Sequence, residues 1–147
     1  MHAEQIAEEF PVVGIDSDAL QAAHLVAEQR LPGIVVVDTA GKPYAVLPAA
    51  EVVRFIVPGY VQDDPALAGV LDESMADRAA EKLSGKTVRD VLPEHLHRVP
   101  AAHADDTIIE VAATMARLHS PLLAVVRDGT LLGVITASRL LAAALKR

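Results

Sequence analysis

Hydrophobic and polar positions alternate along this chain in an order that occurs twice. Ile6 to Phe10 has the spacing of a short helical lead-in, and Pro11-Val12-Val13 that of a short strand. Asp16, Ser17 and Asp18 are good helix caps, and Ala19 to Arg30 places Leu20, Ala23 and Val26-Ala27 on one helical face. Ile34 to Val37 is an unbroken β-branched run, the pattern of a buried strand. Thr39 to Lys42 reads as a turn, Ala45 to Leu47 as the next strand, and Pro48 to Val57 as a helix stopped by Pro58-Gly59. The order then recurs. Val88 to Leu92 is the second lead-in, Arg98-Val99-Pro100 the short strand and Thr107 to Leu118 the helix. Leu122 to Val126 and Leu132 to Ile135 are strands joined at Asp128-Gly129, and a last helix starts at Ser138.

The two copies align residue by residue. Pro32 matches Pro121, Gly41 matches Gly129, and Ala45-Val46-Leu47 matches Gly133-Val134-Ile135, with one residue dropped between proline and glycine in the second copy. Two copies are too few for a solenoid, which needs about three or more to bury a core. They suit one α/β globule in which two β-α-β-β-α repeats pack about a pseudo-twofold axis. The expected organisation is a first repeat over 1–58, an insert over 59–87 and a second repeat over 88–147. The insert reads as a helix or helix pair from Asp64 to Ser84, capped at Asp64-Pro65, weakened at Gly69, broken near Asp72 and stopped at Gly85. Leu67, Leu71, Met75, Ala79 and Leu83 give it one apolar stripe, expected to pack on its own subunit, with docking of a partner the lesser alternative.

Composition narrows the classes. At 147 residues and 52% hydrophobic, the chain has ample apolar surface for one core, and with four aromatic residues that core is aliphatic. The absence of cysteine excludes disulfides, thiolate catalysis and cysteine-based zinc sites. A net charge of -7 without a basic stretch argues against nucleic acid as a partner. The N-terminus lacks a secretory pattern and no apolar run is long enough to span a membrane, so a cytoplasmic protein without direct membrane insertion is expected.

The duplicated order, the Val88-Arg89-Asp90-Val91-Leu92 opening and the Leu131-Leu132-Gly133-Val134-Ile135-Thr136 ending resemble a tandem pair of cystathionine β-synthase (CBS) domains, a Bateman module. The resemblance covers nearly all of the chain except the insert. It implies a non-catalytic regulatory module that binds an adenosine-containing ligand such as AMP, ADP, ATP or S-adenosylmethionine in clefts between the repeats. It also implies a flat homodimer. With no effector domain alongside, the module would act in trans on an effector protein whose identity is open.

In that family the pattern Gly-h-h-Thr-x-x-Asp (h, hydrophobic) carries the ligand, threonine meeting phosphate and aspartate meeting ribose. Both copies here are degenerate. The second keeps Thr136 but has Arg139 at the aspartate position; the first has Pro48 and Glu51. Pro48 has no hydroxyl and no N–H. Glu51 can accept ribose hydroxyls, or simply complement the helix dipole. Thr136 suits a phosphate contact or a plain helix cap. Arg139, a cation in a first helical turn, suits a bound anion, a salt bridge or a solvent-facing side chain. The resemblance further places Pro32, Pro121, Ser120 and Val99 against the ligand, with phosphate expected near Thr136 and Arg139.

Other candidates are weaker. His95 and His97 lie two apart with His103 nearby, so a metal is conceivable, but no ligand spacing supports it and surface or capping roles fit better. Ser84-Gly85-Lys86-Thr87 imitates the end of a phosphate-binding loop, yet Ala80 replaces the required glycine and no strand precedes it. No catalytic arrangement is legible. A ligand-responsive module is the first reading, a scaffold that has lost its ligand the second, and an enzyme a distant third.

Overall fold

Each repeat contributes a three-stranded sheet whose middle strand is the aliphatic run. The structure, a computed structural model, describes residues 1–57, 63–64, 66, 78–93 and 98–146. In chain order its elements are α1 (Ala3–Ile6), β1 (Val12–Gly14), α2 (Ala19–Gln29), β2 (Gly33–Val37), β3 (Pro43–Pro48), α3 (Ala49–Ile56) and α4 (Ala79–Leu83). They continue with α5 (Val88–Val91), β4 (Ala101–His103), α6 (Ile108–Leu118), β5 (Leu122–Arg127), β6 (Thr130–Thr136) and α7 (Ala137–Ala144). The sheets run β1-β2-β3 and β4-β5-β6. In each, the first pair is parallel and the second antiparallel, with matching registers: Val12 opposite Val35 and Ala101 opposite Ala124.

Period two explains why the central strands are apolar throughout. Ile34 and Val36 point into the first repeat's own helices, while Val35 points the other way. Leu123 and Val125 do the same for the second repeat, and Leu122 faces across. Val35, Val46, Leu122 and Val134 form a small shared core between the sheets, flanked by Phe10 and Val99. The dropped residue of the second copy lies in the hairpin. There Asp128 (φ 52°) and Gly129 (φ 78°) make a two-residue turn between Arg127 and Thr130. The first copy uses a longer loop, in which the Asp38 carboxylate accepts from the Ala40 and Lys42 amides.

The lead-in helices are exchanged. α1 precedes the first repeat but packs in the second: Ala3 and Ile6 join Val111, Leu123 and Ile135, and the Ala3 amide donates to the Asp106 carbonyl at 2.7 Å. α5 precedes the second repeat but packs in the first: Val88 and Val91 join Ile34 and Leu47, and the Arg89 amide donates to the Ile15 carbonyl at 2.8 Å. Ion pairs fasten both exchanges, Glu4 to Arg127 and Arg89 to Asp16. The packing units therefore cut across the 1–58 and 88–147 repeats of the sequence.

Several expected bounds move. The first lead-in helix ends at Ile6, where it was expected to begin. The second short strand starts at Ala101 rather than Arg98, because Pro100 has no amide to donate; its carbonyl instead accepts from Ala124. In α2 the buried face is Ala19, Ala22 and Val26, turned from the expected one, with Ala27 exposed. Of the insert, α4 is a helix with Leu83 buried against the first repeat, and Gly85 ends it at φ 75°. The Asp64 carboxylate accepts from the Ala66 amide. Leu67, Leu71, Met75 and the expected break near Asp72 lie outside the described residues, as do Pro58-Gly59, His95 and His97.

Candidate functional site

A cavity of about 660 Å³ opens between the repeats. Val46 and Pro48, at the end of β3, form one wall. The facing wall comes from the second repeat: Arg98, Val99 and Pro100 ahead of β4, and Leu118 to Pro121 at the α6–β5 connection. Four of the eight expected ligand contacts, Pro48, Val99, Ser120 and Pro121, thus meet in one cleft.

Local rules build that facing wall. α6 ends at His119, whose φ of 50° puts it in the left-handed region. The His119 amide donates to the Ala116 carbonyl and the Ser120 amide to the Met115 carbonyl, a helix ending usually made with glycine. Arg30 ends α2 in the same way at φ 54°, which is why both helix-to-proline connections are short. Pro121 then leads into β5, and its carbonyl accepts from the Ala137 amide, capping α7; Pro32 does the same for Ala49 and α3. Pro32 is exposed and does not line the cavity. The Ser120 hydroxyl donates to the Leu122 carbonyl at 2.6 Å and accepts from the Leu122 amide at 3.4 Å. One lone pair is left to accept from a ligand donor.

The motif residues divide between the two repeats. Pro48 caps α3 with backbone alone, having no side-chain oxygen to offer. Glu51 is half-buried in the first turn of α3 and is not part of the cavity wall. Thr136 acts as the cap of α7, its hydroxyl accepting from the Arg139 amide at 3.1 Å. Arg139 makes the salt bridge: its Nε lies 3.2 Å from Glu8 and 3.2 Å from the Ile6 carbonyl. That contact is the salt-bridge alternative for Arg139, at the place where phosphate was expected. A carboxylate already accompanies the guanidinium, so an anion there would meet Glu8 as well as Arg139.

Arg98 is the cation the motif did not point to. Its guanidinium carbon stands 4.6 Å from the centre of the Tyr44 ring. No position in the motif marks it, and its only trace in the sequence is its place directly before the Val99-Pro100 pair. A second cavity of about 560 Å³ occupies the related place in the other repeat, with Glu9, Phe10, Pro11 and Gln29 in its wall. Glu9 and Arg98 are counterparts, each three residues ahead of the strand that starts at Val12 or Ala101. Among the described residues no cluster of His, Cys, Asp or Glu is arranged to hold a metal.

Comparison with known proteins agrees with this architecture. The CBS domain family model matches residues 88–146. A CBS domain-containing protein of unknown function from Kribbella flavida DSM 17836 is 58% identical, with 99% of each chain covered and a TM-score of 0.92. The CBS domain of a CBS domain-containing membrane protein from Sphaerobacter thermophilus is 19% identical, with 96% of this chain and 86% of that one covered, at a TM-score of 0.72. CBSX2 in complex with AMP is 17% identical, with 99% and 96% covered, at a TM-score of 0.68; these last two likenesses concern the fold. A search of curated proteins gave no match.

Proposed function

Because this chain belongs to the CBS-domain proteins, built as a tandem pair of CBS repeats, we propose that it is a regulatory module whose Pro48 cleft takes an adenosine-containing ligand. AMP, ADP, ATP and S-adenosylmethionine are the candidates, and the module would act in trans on a separate protein. The cleft itself carries this reading. It lies within the size range of small-molecule sites, and both repeats supply its walls. An occupant would touch both repeats at once, so binding would bias how they pack. Val46, Val99, Pro100 and Pro121 offer apolar contact to a base, and the free lone pair of Ser120 suits a ribose hydroxyl or an exocyclic amine. The AMP held by CBSX2 supports the ligand class. Thermal unfolding with adenosine, AMP, ADP, ATP and S-adenosylmethionine tests it, since ligand at 100 times its Kd adds about 2.7 kcal/mol of stability. A clear rise with one or more of them is expected.

The alternative is a scaffold that keeps the fold without ligand. Pro48 without a hydroxyl, and Glu51 outside the wall, are the observations that favour it. No rise with any of the five compounds would decide for it. Either reading includes a homodimer. Val53 on α3, Ile109 on α6, Leu141 on α7 and Leu145 just after it are exposed large apolar side chains that a second copy would cover.

A further inference from the structure

We propose that Arg98, assisted by His119, reads the phosphate groups of the ligand in the Pro48 cleft, so that phosphorylated ligands enter this cleft and not the one beside Glu9. The inference rests on the adenosine-ligand reading above and adds to it which residues select the charged end, and in which cleft.

Charge is the first observation. The chain carries a net charge of -7, yet among the described residues no carboxylate lines this cavity, while Arg98 and His119 do. The second is how Arg98 is held. Arg89, Arg127 and Arg139 are each paired with a carboxylate, whereas the Arg98 contact among described residues is the Tyr44 ring. A guanidinium held over a ring face by cation–π attraction keeps N–H groups that can donate, and a guanidinium matches phosphate oxygens. The third is position. Arg98 and His119 reach the cleft from the second repeat and face Pro48, where the hydroxyl of the family pattern is missing. A cationic donor on the opposite wall supplies what Pro48 lacks. His119 is in the same wall, its backbone set by the left-handed helix ending, and an imidazole N–H adds a donor. The fourth is the contrast between the cavities: the counterpart of Arg98 is Glu9, which repels phosphate.

Calorimetry on wild type, Arg98→Met, Arg98→Lys and His119→Asn, each with adenosine, AMP, ADP, ATP and inorganic triphosphate, tests this. Wild-type affinity should rise from adenosine to ATP. Arg98→Met should lose that rise, about 10- to 150-fold for ATP, and keep adenosine binding. Arg98→Lys should recover part of it, and His119→Asn should show a smaller loss. Affinity that ignores phosphate number, or an Arg98→Met variant that matches wild type or loses adenosine and ATP alike, overturns the inference and leaves the proposed function standing. Arg98-dependent binding of triphosphate without any adenosine compound would instead overturn the proposed function and keep the anion assignment. Silence with every probe overturns both.

Discussion

Arg139 is a cation in the first turn of α7, where the helix dipole disfavours it, and compensation comes from the Ile6 carbonyl at the end of α1 and from Glu8 just after it. The pair is solvent-exposed on both sides, so it adds little; the bond to the Ile6 carbonyl adds about as much again. Arg139→Ala should therefore lower stability by about 0.5–1.5 kcal/mol in urea titrations and leave nucleotide affinity unchanged. A variant that lost nucleotide but not stability would return the phosphate to α7. Asp90 offers a pH test at the same scale. The Thr87 backbone N–H, with the Thr87 hydroxyl behind it, holds the Asp90 carboxyl below its ordinary value of 3.8. The folded state then binds that proton less readily than the unfolded chain. Its stabilising contribution is whole above that ordinary value and drains as the pH falls through the lower folded-state value. Wild type should exceed Asp90→Asn in urea midpoint at neutral pH, and the gap should close below about pH 4. A gap constant with pH would contradict this. Thr136 and Pro48 were legible as a cap and a missing donor because those properties belong to the residues themselves. The partner of Arg139 was not, since nothing local ties residue 139 to residue 8.

The exchange of α1 and α5 governs the next scale. Glu8, following α1, pairs with Val134 of β6 through amide-carbonyl bonds of 3.0 and 2.9 Å. Gly133 permits that approach, for a Cβ there would lie 2.7 Å from the Glu8 carbonyl oxygen. Gly133→Ala should cost about 1–3 kcal/mol in denaturation, with α1 loosened first in hydrogen exchange. The first repeat carries Ala45 at this position, buried without penalty, and Ala45→Gly should cost no more than a small loss of packing and chain entropy. Strands and helices were legible because their periods are local: the β-branched run Ile34 to Val37 declares itself. The exchange was not legible, because either lead-in has the apolar pattern to cover either sheet. The short strands were misplaced by one to three residues for a similar reason. Their register is set by the central strand they pair with rather than by their own pattern.

For the whole molecule, the apolar helix faces argue for two copies. Leu141 on α7 is 56% exposed and Val53 on α3 55%, large apolar side chains that a second copy would take out of water. Light scattering at micromolar concentration should give a dimer, and Leu141→Asp with Val53→Asp should give a folded monomer; a monomeric wild type would contradict the dimer. The cleft was only half legible in advance. Pro48, Val99, Ser120 and Pro121 were expected together because the family resemblance places each against the ligand, and all four line one cavity. Arg98 and Tyr44 went unseen, since a cation–π pair 54 residues apart leaves no mark on either segment. A ligand lying between the repeats against Pro48 is the premise of the proposed function. Amide chemical-shift mapping during an AMP titration tests it most directly. Saturable shifts should gather at Val46, Arg98, Val99, His119 and Ser120. Shifts gathered at Thr136 to Arg139, or none at saturating AMP, would contradict it.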